Sequence, residues 1–173
     1  MAEKDFQTEL NRGIADAGWW AYKIPDSPAS KFGGVKGSRF TPVKPFDCVA
    51  VCAGVPHALE LKQVRKGLSL PLSELRDHQE EALLAVEAQG GVGWVVCNFR
   101  VRLSATQQRK RGVEVLDLAF AARIHQVVSA RVDEARTGLP LDWWEQHAIE
   151  LPRQRLAGGV LSWDPTPLAE AVA

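Results

Sequence analysis

The sequence predicts an α/β protein in which helices flank a central mixed sheet. Three observations lead there. Apolar residues recur at helical spacing in two stretches, 5–17 and 73–90. Between them, Val49-Ala50-Val51-Cys52 and His57-Ala58-Leu59 are short apolar runs separated by Ala53-Gly54-Val55-Pro56, the punctuation of a turn between two strands. Further on, Val92 to Phe99 is almost wholly apolar, the pattern of a central strand covered on both faces.

The chain has 173 residues, enough for one domain with a substantial core. Lys and Arg number 21 and Asp and Glu number 21, so the formal net charge is zero. That balance excludes a uniformly basic nucleic-acid coat and leaves room for local basic patches. The three cysteines, Cys48, Cys52 and Cys97, lie in apolar runs without metal-ligand spacing. They read as buried small hydrophobes in a reducing compartment. No basic-then-apolar leader and no apolar run of bilayer length is present, so the expectation is a soluble cytoplasmic protein with no membrane partner.

In chain order, Asp5 to Ala17 reads as a helix whose apolar stripe is Phe6, Leu10, Gly13, Ile14 and Ala17, with Gly18 as the stop. Glu9 lies at the edge of that stripe and points toward the body of the protein. Trp19 to Ile24 reads as a strand. The segment Pro25 to Pro45 is rich in Pro, Gly, Ser and Lys and reads as a long loop. It carries Lys31, Lys36, Arg39 and Lys44 against the single acid Asp26, and Gly33-Gly34 and Gly37 permit close backbone approach to a phosphate. Arg65 and Lys66 follow the second strand. A helix is expected from about Ser73, its N-cap, to Gly90-Gly91, with Gln79 inside the stripe of Leu75, Ala82, Leu83 and Val86. After the buried strand, Arg100, Arg102 and Arg109-Lys110-Arg111 form a second cationic run, either a phosphate contact or a solvated hairpin tip. A short strand over Val113 to Leu116 and a helix from about Asp117 through Ala135 complete this part. From Thr137 onward Pro and Gly break the chain into short pieces. Leu141, Trp143, Trp144 and Trp163 there are expected to fold back on the body or on a partner.

Chemistry concentrates around Pro45-Phe46-Asp47 and Glu60-Leu61-Lys62. A turn centred on Ala53-Gly54 sets Asp47 opposite Glu60 on an antiparallel pair, with Cβ atoms about 4.5–5.5 Å apart. Strand alternation places Glu60 and Lys62 on one face and Leu59 and Leu61 on the other. Two carboxylates so close repel unless a positive charge lies between them. Two acids and an ammonium at one spot point to a divalent-metal site that hydrolyses a phosphodiester. A polar amide at Gln79, aimed at the sheet, must be satisfied in the core or reach that site.

The order of these parts resembles the PD-(D/E)xK nuclease fold, the restriction-endonuclease-like core. Pro45-Phe46-Asp47 stands for the first half of the motif and Glu60-Leu61-Lys62 for the second. Leu70-Pro71-Leu72 followed by His78-Gln79, then Gly90-Gly91 and an apolar strand, is similar to the RecU family of Holliday-junction resolvases, to which the archaeal Hjc resolvases are related in layout. The resemblance spans about Phe6 to Phe99 and leaves the C-terminal third unmatched. It implies that Asp47 and Glu60 bind Mg²⁺, with Mn²⁺ able to substitute, and that the Leu61 carbonyl is a further ligand. It implies that Glu9 completes the metal shell, that Lys62 orients the attacking water and steadies the phosphate, and that Gln79 is the helix glutamine near the site.

The resemblance also implies a partner and an assembly: four-way branched DNA, nicked at two symmetric positions by a homodimer. Lys31, Lys36, Arg39, Lys44, Arg65 and Lys66 would then contact DNA phosphates. In this reading residues 1–136 are a nuclease core with a basic loop at 25–45, and 137–173 are a C-terminal extension packed on the core or on the dimer partner. The competing readings are another nuclease of the same fold, acting in repair, on flaps or as a restriction enzyme, and a junction-binding protein without catalysis. A restriction enzyme fits less well, since no separate target-recognition domain is visible.

Overall fold

The computed structural model describes residues 3–25 and 44–172. Its helices are α1 (Glu3–Asp16), α2 (Asp77–Ala88), α3 (Ala105–Arg111), α4 (Ile124–Val132), α5 (Leu141–His147) and α6 (Thr166–Glu170). Its strands are β1 (Trp20–Lys23), β2 (Cys48–Cys52), β3 (Val55–Val64), β4 (Ser69–Pro71), β5 (Val92–Arg102), β6 (Val115–Arg123), β7 (Gly138–Pro140), β8 (Ile149–Leu151), β9 (Arg153–Arg155) and β10 (Leu161–Trp163). Six of the strands form a mixed sheet in the order β1-β2-β3-β5-β6-β8. Among the described residues only β3 and β5 pair in parallel, and α2 makes the crossover between them. The expected α/β architecture, a central mixed sheet flanked by helices, is the one observed.

Two cores result, one on each face of the sheet. On one face Ala58, Val95, Cys97, Phe99 and Phe120 pack against Leu83 of α2, Val127 of α4 and Trp144 of α5. On the other, Leu59, Leu61, Trp94 and Val96 pack against Phe6, Leu10 and Ile14 of α1 and against Trp163 and Leu168. The alternation of β3 and β5 between these sets is what separates the faces. α1 lies so close to β10 that a Cβ on Gly13 would sit 1.8 Å from the Trp163 carbonyl oxygen. Only glycine fits there. The segment after Thr137 thus supplies an edge strand and buried tryptophans to both cores.

The hairpin between β2 and β3 turns at Ala53 and Gly54, with φ of 49° and 83°. Positive φ at both central residues is what a two-residue hairpin of the primed type requires. The register follows: Cys52 faces Val55 and Cys48 faces Leu59.

Three expectations are corrected. Ser73 does not cap a helix: Leu72–Glu74 is a 3₁₀ turn, Leu75 is extended, and α2 begins at Asp77 with Arg76 as its N-cap. Burying Leu75 interrupts the helical path. The helix expected over 117–135 is instead mostly strand: β6 runs to Arg123, and α4 covers only Ile124–Val132. Ala119, Phe120, Ala121 and Ala122 are all buried because β6 is covered on both faces. That burial overrides the helical preference of an alanine-rich run. The Arg109-Lys110-Arg111 run ends α3, a capped helix rather than a hairpin tip, with Ser104 and Gln107 in a reciprocal capping box.

Among the described residues, no helix is long and apolar enough to cross a membrane.

Candidate active site

Asp47 immediately precedes β2. Its N–H donates to the Leu59 carbonyl at 3.0 Å, and its own carbonyl accepts the Ile24 N–H at 2.9 Å. The β2–β3 pairing ends at Cys48 and Leu59, and the off-register bond of Asp47 to Leu59 sets it beside Glu60 rather than squarely opposite it, as the sequence predicts. One carboxylate oxygen, Oδ2, accepts the Leu61 N–H at 2.9 Å, and Oδ1 receives Lys44 Nζ at 2.5 Å. A strand residue's N–H and C=O point to the same edge. The Leu61 carbonyl is therefore directed to the side on which Asp47 lies.

Glu60 is only 2% exposed. Its Oε1 receives Gln79 Nε2 at 2.6 Å and Lys62 Nζ at 2.8 Å. Its Oε2 is buried with no hydrogen-bond partner. Burial first, and then the charge of Asp47, raises the Glu60 pKa to about 7, while Lys62 pulls the other way. The carboxyl is thus poised between its two protonation states near neutral pH. Burial, with Asp47 adding to it, also pushes the Cys48 thiol up to about 11, which leaves no thiolate nucleophile beside the site.

Gln79 occupies the first turn of α2. Its Oε1 accepts the Arg76 N–H at 3.1 Å and lies 3.4 Å from Lys62 Nζ. With the oxygen held by that helix-capping bond, the amide NH₂ must face Glu60. The polar side chain inside an apolar stripe is explained: it ties the crossover helix to the carboxylate of the strand.

The structure therefore brings together Asp47, Glu60, Lys62 and Gln79, with Lys44 and the Leu61 backbone. Glu9 is not among them. Its Oε2 accepts Arg100 Nη2 at 2.6 Å and Trp163 Nε1 at 3.0 Å. Arg100 also pairs with Asp117 at 3.1 Å, and Arg153 binds the other oxygen of Asp117. Helix α1 and the Arg100 side chain lie on the sheet face opposite Glu60 and α2. The helical phase of Glu9 directs it inward, and its partner there is an arginine.

Lys31, Lys36 and Arg39 lie outside the described residues. Arg65 and Lys66 are exposed and share with Lys62, Ser69 and Glu74 the lining of a cavity of about 260 Å³. Arg65 is oriented by two bonds to Gln63 Oε1, at 2.9 and 3.0 Å. The second cationic run does not form one patch: Arg100 and Arg102 are ion-paired to acids, and Arg111 bridges Asp142 and Glu145. Ser69 and Glu74 were missed as neighbours of the site. Nothing in the sequence marks Ser69, and Glu74 reads as a residue placed for a helix dipole.

The donor set suits a hard divalent cation. Among the described residues no three His, Cys, Asp or Glu side chains cluster around one point. Mg²⁺ does not require that: one or two carboxylates with waters and substrate phosphate suffice. The buried Oε2 of Glu60, lacking a partner, is the atom such an ion would satisfy.

No family model matches the chain, and no curated protein matches its sequence. Among solved structures, the chain is similar to Hjc of Archaeoglobus fulgidus, a Holliday junction resolvase from an archaeal hyperthermophile. The TM-score is 0.48 and the identity 18%, over 85% of this chain and 94% of that one.

Proposed function

We propose that this chain is a metal-dependent endonuclease that resolves four-way DNA junctions by paired nicks, acting as a homodimer. The observation that carries the reading is the buried Glu60, set beside Asp47 at the start of β2 and bonded to both Lys62 and Gln79. A structural role alone does not favour this cluster. An isosteric apolar core would avoid the cost of burying two like charges with their counter-charges.

Asp47, Glu60 and the Leu61 carbonyl would hold Mg²⁺ or Mn²⁺. The ion, when bound, supplies a bound water of lowered pKa and offsets charge on the phosphoryl oxygens. Lys62 Nζ, already among oxygen acceptors, donates to the attacking water or to a non-bridging phosphate oxygen. Gln79 holds Glu60 in one rotamer so that its free oxygen faces the site. Arg65 and Lys66, with Lys31, Lys36, Arg39 and Lys44 from the basic segment, grip the DNA backbone. A two-fold dimer presents two such centres to a substrate that itself has two-fold symmetry.

The test is a panel of end-labelled four-way junction, linear duplex and flap, each incubated with Mg²⁺, Mn²⁺ or EDTA. Symmetric nicks on the junction alone, abolished by EDTA, are expected. Equal cutting of all three identifies a general nuclease of the same fold. Tight junction binding with no product under either metal identifies a binding protein.

A further inference from the structure

β1 is an edge strand, and its aromatic residues face the solvent. Trp20 is 59% exposed and Tyr22 53%. They are two residues apart and so lie on one face of the strand. Their rings are near-parallel, 11° apart in plane, with centroids separated by 6.5 Å. The two rings thus form a pair of roughly parallel, exposed π surfaces on one face of the strand, on which a base can stack.

The register says which face this is. Tyr22 pairs with Val49 and Trp20 with Val51. Val49 pairs with Ala58, which lies on the same face of β3 as Glu60 and Lys62. From strand spacings, the Tyr22 and Asp47 Cα atoms are roughly 8 Å apart. That is the scale of a single nucleotide. The surroundings favour a polyanion: Lys44 and Lys62 stand at the carboxylates, and Arg65 and Lys66 are exposed on the adjoining groove.

We propose that Trp20 and Tyr22 form an aromatic platform that stacks an unpaired base of the strand whose phosphate lies at Asp47, Glu60 and Lys62. The inference rests on the nuclease reading and adds to it a stacking site for a splayed nucleotide at the branch point. Stacking is indifferent to base identity, so the platform selects for an unstacked base and not for a sequence.

The experiment uses a four-way junction with one unpaired 2-aminopurine at the branch point, titrated in EDTA so that no strand is cut. Wild type and Trp20→Phe/Tyr22→Phe are expected to bind and to quench the probe. Trp20→Leu/Tyr22→Leu keeps apolar bulk without a π face. It is expected to lose affinity roughly tenfold or more and to lose the quenching. Both positions are exposed, so an unchanged melting temperature verifies the fold. Equal affinity and quenching by the leucine variant, with wild type still cutting junctions, overturns the stacking platform and leaves the nuclease reading intact. A leucine variant that loses dimer mass in sedimentation while its protomer quenches normally also overturns it, assigning the rings to a second copy of the chain. A wild type that neither binds nor cuts branched DNA overturns both.

Discussion

Gln79 links the crossover helix to β3: its Nε2 lies 2.6 Å from Glu60 Oε1, while its Oε1 accepts the Arg76 N–H at 3.1 Å. One side chain caps α2 and fixes the carboxylate. Gln79→Ala should therefore have two effects. Loss of the cap and of a buried hydrogen bond costs about 1–3 kcal/mol of stability, measured by urea unfolding. Release of Glu60 lowers cleavage by roughly 10- to 100-fold. A stability loss with unaltered cleavage would mean the amide serves the helix alone.

Lys62→Ala and Glu60→Gln should each abolish cleavage, by about 10³-fold or more in single-turnover rate. Junction binding should remain within a few-fold of wild type, because the backbone grip is elsewhere. Gel-shift titration in EDTA beside the cleavage assay separates the two quantities. Binding that falls in step with cutting would assign these residues to structure.

Glu60 makes the metal-free protein sensitive to pH. Its folded pKa is about 7, against an ordinary value of 4.5. The raised value means that the fold favours the protonated form. The advantage is full below about pH 4.5 and is lost as pH rises through 7. In EDTA, urea unfolding should show stability falling by on the order of a few kcal/mol between pH 5 and pH 8 from this group. Glu60→Gln should flatten that slope, and Mg²⁺ should restore wild-type stability at pH 8. An identical slope in wild type and variant would remove Glu60 as its source.

Glu9 lies between Arg100 and Trp163, so Glu9→Ala should act on stability first. It strands a part-buried guanidinium, which remains paired to Asp117, and an indole N–H. The expected cost is about 1–3 kcal/mol. The residual folded protein should keep its dependence on Mg²⁺ concentration. A stable variant whose Mg²⁺ requirement rises steeply would place Glu9 at the metal after all.

Arg65→Ala/Lys66→Ala should lower the slope of log affinity against log salt by roughly 1–2, in proportion to the charges removed. An unchanged slope would take this pair out of the DNA contact.

The centre of the site was legible because its spacing is local. The Ala53-Gly54 turn fixes the hairpin register, which brings Asp47 to the side of Glu60, and a bond from the Leu61 N–H holds its carboxylate there. Gln79 was legible because an amide inside an apolar stripe demands a partner. Glu9 was half legible: helical phase shows that it points inward, but its partners, Arg100 and Trp163, are 91 and 154 residues away. β6 was not legible, since Ala119-Phe120-Ala121-Ala122 has no period of two when both its faces are buried. The exposed pair Trp20 and Tyr22 carries its signal in the sequence as an aromatic at every second residue of a strand.

The most direct test is single-turnover cleavage of a symmetric four-way junction in Mg²⁺ by wild type and by Asp47→Asn. The asparagine keeps the oxygen that accepts the Leu61 N–H and removes the charge that a metal requires. Wild type should convert the junction to paired nicked duplexes, and Asp47→Asn should bind it with similar affinity and leave it uncut. Cleavage by Asp47→Asn at the wild-type rate would contradict a metal centre built on Asp47 and Glu60.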